Sequence, residues 1–203
     1  MSTLSVLTEH PERIMKLFAT DQVNPQGVYG INMCKNGEFQ TVIVDDHIPC
    51  NSGNDAGPCF SKGNGPELWV ILLEKAWAKI HGSYERVIGG QAHLTMRDLT
   101  GAPSYEIMSS DEDAFEKILD GEKKNYAMSS GINSKAYDEA QAIKDMGLVA
   151  EHSYGLISAA EVIDKNGNPV KLVKLRNPWG NFEWKGDWGD ESDCWTDELK
   201  EQL

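Results

Sequence analysis

The chain has 203 residues, 40% of them hydrophobic and 25% charged, an ordinary globular composition long enough for one large domain or two small lobes. Its formal net charge of −13, from 32 acidic against 19 basic residues, argues against a nucleic-acid partner, because phosphate binding needs clustered Lys and Arg. The acidic surplus serves solubility or cation attraction.

Cys34, Cys50, Cys59 and Cys194 form no CxxC pair, so reduced thiols are the expectation. No apolar run approaches the roughly 20 residues of a membrane span. Met1 to Thr8 lacks both a basic region and a small-residue cleavage site. These features together lead to an expected cytoplasmic location.

In chain order, Met1 to Leu7 reads as the tail of a buried helix, and Pro11 opens a second helix reaching Phe18. A helix that begins apolar and uncapped reads as though something precedes it. Gly27 to Met33 and Glu38 to Val44 are strand-like, joined through the turn signal Asn36-Gly37. Asp45 to Pro66 is loop. Glu67 to Ile80 is the strongest helix pattern, apolar around nearly its whole circumference and so expected to be buried. Ile88 to Gln91 is a candidate junction between lobes, and Asp111 to Leu119 a short helix begun by Ser110. From Asn125 onward strands are expected at Tyr126 to Ser130, Gly147 to Ile163 and Val170 to Arg176, the last two joined through Lys165 to Asn168. The order, mostly helical and then mostly β, predicts an α+β fold in two lobes, residues 1–88 and 89–203.

Two groups of residues could carry chemistry. His152 lies in one strand pattern and Asn177 directly follows another, so pairing of those strands would bring the two together. A His oriented by an Asn oxygen is the supporting half of a Cys-His-Asn system, whereas a single strand His is otherwise a packed or exposed residue. Asn177-Pro178-Trp179-Gly180 places a polar side chain at a strand end beside Pro and Trp, as a shielded hydrogen bond or as a tight turn with an aromatic plug. Glu183, Asp187, Asp190, Glu191 and Asp193 crowd a segment holding Trp184, Trp188 and Trp195. That segment reads equally as a solvated acidic loop or as an oxygen-rich cation site, and it has no EF-hand pattern.

Three stretches then resemble one family. Glu67 to Glu85 (ELWVILLEKAWAKIHGSYE) is similar to the long helix segment of calpain protease cores. Leu175 to Trp188 (LRNPWGNFEWKGDW) resembles the calpain Asn loop and the calcium loop that follows it, and Gly37 to Asp46 resembles a first-lobe hairpin. The similarity runs across essentially the whole chain. It implies a papain-like, two-lobed, calcium-dependent cysteine endopeptidase core that performs limited proteolysis of intracellular proteins.

Residue by residue, the resemblance implies His152 and Asn177 as catalytic His and Asn, Trp179 as the tryptophan gating the cleft, and Gly90 as a cleft glycine. It implies calcium ligands at Glu67 in the first lobe and at Glu183 and Asp190 in the second. The expected partners are protein substrates, with membrane or partner contacts only through other domains. Three departures accompany it. The family's nucleophile stretch, Gly-x-Cys-Trp with its oxyanion Gln, has no counterpart, because Met1 corresponds to a point a few residues beyond that Cys. Glu151 stands where the family usually has Gly before the catalytic His. The C-terminus at Leu203 falls short of the family's last strands and remaining second-lobe ligands. The expectation is therefore a core truncated at both ends, inactive alone, with a catalytically inactive binding module (a pseudoprotease) as the alternative.

Overall fold

The computed structural model describes residues 2–53, 56–63, 65–132 and 137–201. Among these are helices α1 (Ser2–Leu7), α2 (Pro11–Met15), α3 (Trp69–His81), α4 (Ala92–Thr100), α5 (Ala114–Lys123), α6 (Tyr137–Asp145) and α7 (Asp197–Lys200). The strands are β1 (Val28–Lys35), β2 (Glu38–Asp45), β3 (Met128–Ile132), β4 (His152–Ile163) and β5 (Pro169–Arg176). Helices and strands mix as expected of an α+β protein. No described helix is long and apolar enough to cross a membrane.

The chain divides into two compact units, His10–Ser104 and Ser2–Glu9 with Tyr105–Leu203. The division expected after residue 88 falls inside the first unit. The physical reason is α4, which packs on β1 and buries Met96 and Leu99. The apolar N-terminal segment goes to the second unit, where α1 lies on β4 and buries Leu4, Val6 and Leu7. A Cβ at Gly155 of β4 would come within 3.3 Å of Val6, so the close approach of α1 relies on that glycine.

In the first unit β1 and β2 form an antiparallel hairpin with Lys35 opposite Glu38. Asn36 and Gly37 both take positive φ, 54° and 85°, the I′ turn that matches the strands' twist. Tyr29, Ile31, Met33, Val42 and Val44 supply the sheet side of the core, and Leu72, Leu73, Ala76 and Ala78 of α3 the helix side. Helix α3 is fully buried at Leu72, Leu73, Ala76 and Ala78 and partly covered over the rest of its circumference, with Lys79 exposed. The helix also carries Lys75 and Lys79, whose ammonium groups donate to backbone oxygens of β2 and of the residues just past it: Lys79 to Ile43 at 2.6 Å, and Lys75 to Asp45 at 3.1 Å and His47 at 2.6 Å. Lys75 also holds the Asp45 carboxyl, at 2.6 Å, down to a pKa of about 2.

The second unit is an antiparallel sheet in the order β3-β4-β5, with α5 as well as α1 against β4. The Asp164–Asn168 turn joins β4 to β5, as the Asn-Gly signal predicts; the Asp164 carboxylate accepts the Asn166 and Asn168 amides, each at 2.8 Å. Three expectations need correction. Helix α5 begins at Ala114, with no side-chain cap, because Asp111 instead ties a turn through the Met108 amide. Residues 147–151 are not strand: α6 precedes them, Gly147 at φ +86° follows its last turn, and β4 starts only at His152. Helices α4, α6 and α7 were not anticipated, and all are short.

Candidate active site

His152 is the first residue of β4, and Asn177 follows the last residue of β5, its antiparallel neighbour. The two strands carry them to the same end of the sheet. His152 Nε2 lies 3.0 Å from Asn177 Oδ1. Asn177 is one of two buried polar residues among those described, at 6% exposure. Its amide is held on both sides. Nδ2 donates to the carbonyls of Asn181 and Phe182, at 2.9 and 3.1 Å, while Oδ1 also accepts the Trp179 backbone N–H at 3.2 Å.

That arrangement settles a proton. With both Nδ2 hydrogens committed to carbonyls, Oδ1 is what faces the imidazole, and an amide oxygen only accepts. The ring nitrogen opposite it must carry the hydrogen, so Nε2 is the donor. In the neutral ring Nδ1 then holds the free lone pair, the atom available to take a proton. Such a ring can act as a base with a fixed direction.

The local backbone explains the fit. Pro178 occupies the second position of a turn closed by Gly180 N–H to Asn177 O at 3.1 Å, and Gly180 sits at φ +68°. Phe182, at φ +67°, adopts a conformation costly for a non-glycine residue, and its carbonyl accepts from Asn177. Glu151, immediately before His152, is likewise left-handed at φ +53°, with its N–H donated to Ile132 O at 2.8 Å.

Two aromatic rings border the imidazole. Trp179 lies 4.5 Å away, centroid to centroid, and is 56% exposed; Tyr154 lies 4.9 Å away, edge on at 86°, and is 4% exposed. The expected tryptophan is at hand but half open to solvent. Tyr154 was not singled out from the sequence, although its place two residues after His152 on one strand puts both on the same face.

The remaining expected residues do not join this cluster. Gly90 is exposed and belongs to the first unit, as do Glu67 and three cysteines: Cys34, buried in β1, and the exposed Cys50 and Cys59. Glu67 accepts from the Trp69 indole at 3.3 Å. Glu183 and Asp190 are exposed in the second unit. Among the described residues, no three His, Cys, Asp or Glu side chains gather as metal ligands. The acidic segment is organised by its indoles instead. Trp184 donates to Asp187 O and Trp195 to Gly189 O, both at 2.8 Å, and Trp188 meets Trp195 edge to face.

Comparison with known proteins agrees with the geometry. The sequence pattern described as "Calpain family cysteine protease" matches residues 1–203. The chain belongs to the calpain family. It is 37% identical over its whole length to the calpain-type cysteine protease ADL1 of Oryza sativa subsp. japonica, of which it spans 9%. An equal 37% relates it to the calpain-type cysteine protease DEK1 of Zea mays, again over 9% of that protein. The calpain-2 catalytic subunit of Homo sapiens is 32% identical over 97% of this chain, which spans 28% of that protein. The calpain chain thus covers a small part of these curated relatives.

Proposed function

We propose that this calpain chain supplies the His–Asn half of an acyl-transfer site in a complete, calcium-dependent cysteine endopeptidase that cleaves intracellular proteins in the cytoplasm. The observation that carries the reading is the 3.0 Å contact of His152 Nε2 with an Asn177 amide held by three other groups. Asn177 keeps the proton on Nε2 and Nδ1 free. Nδ1 takes the proton of a cysteine thiol, which then attacks the substrate carbonyl, and returns it to the departing amine. The resulting imidazolium stays hydrogen-bonded to Asn177. Trp179 limits water at the pair, and Gly90 belongs to the substrate path of a papain-like two-lobed core. Calcium dependence is part of the proposal for the whole protein, with Glu67, Glu183 and Asp190 as contributors, and no chemical step is assigned to it.

The test is turnover of a fluorogenic peptide by the complete protein. His152→Ala should lower kcat by about 10²- to 10⁴-fold with little change in KM. Unchanged kcat in a folded variant refutes the role. A second reading, a binding module without catalysis, is favoured by one observation: Glu151 stands directly before His152, where the resembled family usually has glycine. Absence of turnover from the complete protein, together with binding of the same peptide, would establish it.

A further inference from the structure

We infer that Tyr154 is a positioning residue for the His152–Asn177 pair, an assignment that rests on reading the pair as a base and its orienting partner. Two separate contacts converge on it. Its ring stands edge on to the imidazole, at 4.9 Å and 86°. Its hydroxyl oxygen accepts the Val149 N–H at 2.9 Å, reaching back over the turn that delivers His152.

That turn needs holding. It contains Glu151 at φ +53°, a conformation an L-residue adopts at a cost, directly before the ring that must be aimed. The strained residue's own N–H is tied to Ile132, and two residues earlier the Val149 N–H is tied to Tyr154. Releasing the Val149 tie lets the turn relax and carries the His152 backbone with it.

The ring contact acts on the imidazole itself. Of the two aromatic neighbours, Trp179 is 56% exposed, whereas Tyr154 is 4% exposed and enclosed by packing. The enclosed neighbour limits rotation of the imidazole about χ2. The ladder adds a third relation. Gly155 pairs with Arg176, so continuing that register places Tyr154 opposite Asn177. Tyr154 therefore follows directly on the last β4–β5 pair, towards Asn177, and lies on the face that His152 shares.

A residue buried only for packing would show a different response, and the chain as it exists distinguishes the two. The measurements are the imidazole 15N signals of His152, which report the tautomer, and hydrogen exchange at the Val149 amide. Wild type should show one Nε2–H tautomer. Tyr154→Phe keeps the ring and loses the hydroxyl oxygen; Val149 exchange should rise about fivefold to tenfold, the worth of one neutral hydrogen bond, with the tautomer largely retained. Tyr154→Leu should mix the tautomers. A folded Tyr154→Leu variant with the wild-type 15N pattern overturns the inference. If that variant does not fold, Tyr154→Phe decides alone: unchanged Val149 exchange overturns it. Asn177→Ala separates this inference from the reading beneath it. Signals that respond to Asn177→Ala but not to Tyr154 variants overturn only the Tyr154 role, and signals indifferent to both sink the pair as well.

Discussion

Glu151 offers a direct measure of backbone strain next to the catalytic candidate. At φ +53° it occupies the left-handed region, where an L-residue pays about 1–2 kcal/mol and glycine pays nothing. Its described contact is through the backbone N–H to Ile132, which glycine keeps. Glycine also adds freedom to the unfolded chain, worth about 0.5–1 kcal/mol in the opposite direction. The balance makes Glu151→Gly more stable by about 0.5–1 kcal/mol, or about 1–4 °C in Tm for a chain of this size. Removing one negative charge from a chain of net −13 also relieves repulsion, so Glu151→Ala is the necessary control. Alanine loses the same charge and keeps the left-handed cost. Urea unfolding of the three proteins should therefore place the alanine variant near wild type and the glycine variant above both. A glycine variant no more stable than the alanine one would show that the turn carries no strain worth relieving. The family's usual glycine at this position would then need another explanation.

Asn177→Ala should cost about 2–3 kcal/mol, because it removes a buried amide and leaves the Asn181 and Phe182 carbonyls and the Trp179 N–H without their partner; thermal unfolding checks this. His81 supplies a pH dependence. Burial and the nearby Lys35 ammonium lower its pKa below the ordinary 6.5, against an opposing pull from Asp98. Since the unfolded chain then binds the proton first, stability should fall as pH drops below about 6.5, and His81→Gln should flatten that slope in urea melts at graded pH. Glu122→Ala should cost about 1–3 kcal/mol, because the Glu122 carboxylate accepts the Ala159 N–H at 2.7 Å beside an irregularity in β4; Glu122→Gln, which keeps an acceptor, should recover most of it.

What was legible in the sequence followed from local rules. Asn36-Gly37, with positive φ at both residues, and Asn166-Gly167, with positive φ at Gly167, announced two hairpins, because few residues accept positive φ. The β4–β5 hairpin was then enough to bring His152 and Asn177 to one end of a sheet. Less legible was anything decided by packing. Helix α3 reads as apolar all round, yet Trp69, Val70, Ile71, Trp77 and Ile80 are only partly covered, since sequence cannot say how much surface a neighbour will cover. Short helices such as α6 carry too few turns for a periodicity to stand out, and only Gly147 past its end marked it. Tyr154 escaped notice because a strand tyrosine looks like core until its hydroxyl is seen to hold Val149.

The meeting of His152 with Asn177 depends on one more feature that no turn signal reveals. Ile163 pairs with Pro169 at the hairpin end, and an unbroken ladder from there would set Gly155 opposite Asn177. Side chains alternate along a strand, so Asn177 would then share a face with Gly155 and oppose His152 and Tyr154. The ladder is not unbroken. Between Leu156 and Ser158 the register slips by one, leaving Ile157 as the extra residue, and Gly155 pairs with Arg176. Continued one step past Gly155, the slipped register sets Tyr154 opposite Asn177 and puts His152 on the matching face. The amide of Ala159, beside the slip, is taken by Glu122 from α5. The His152–Asn177 pair is therefore positioned by three things in sequence: a turn that starts the hairpin, a bulge that changes its phase, and a helix carboxylate bound beside the bulge.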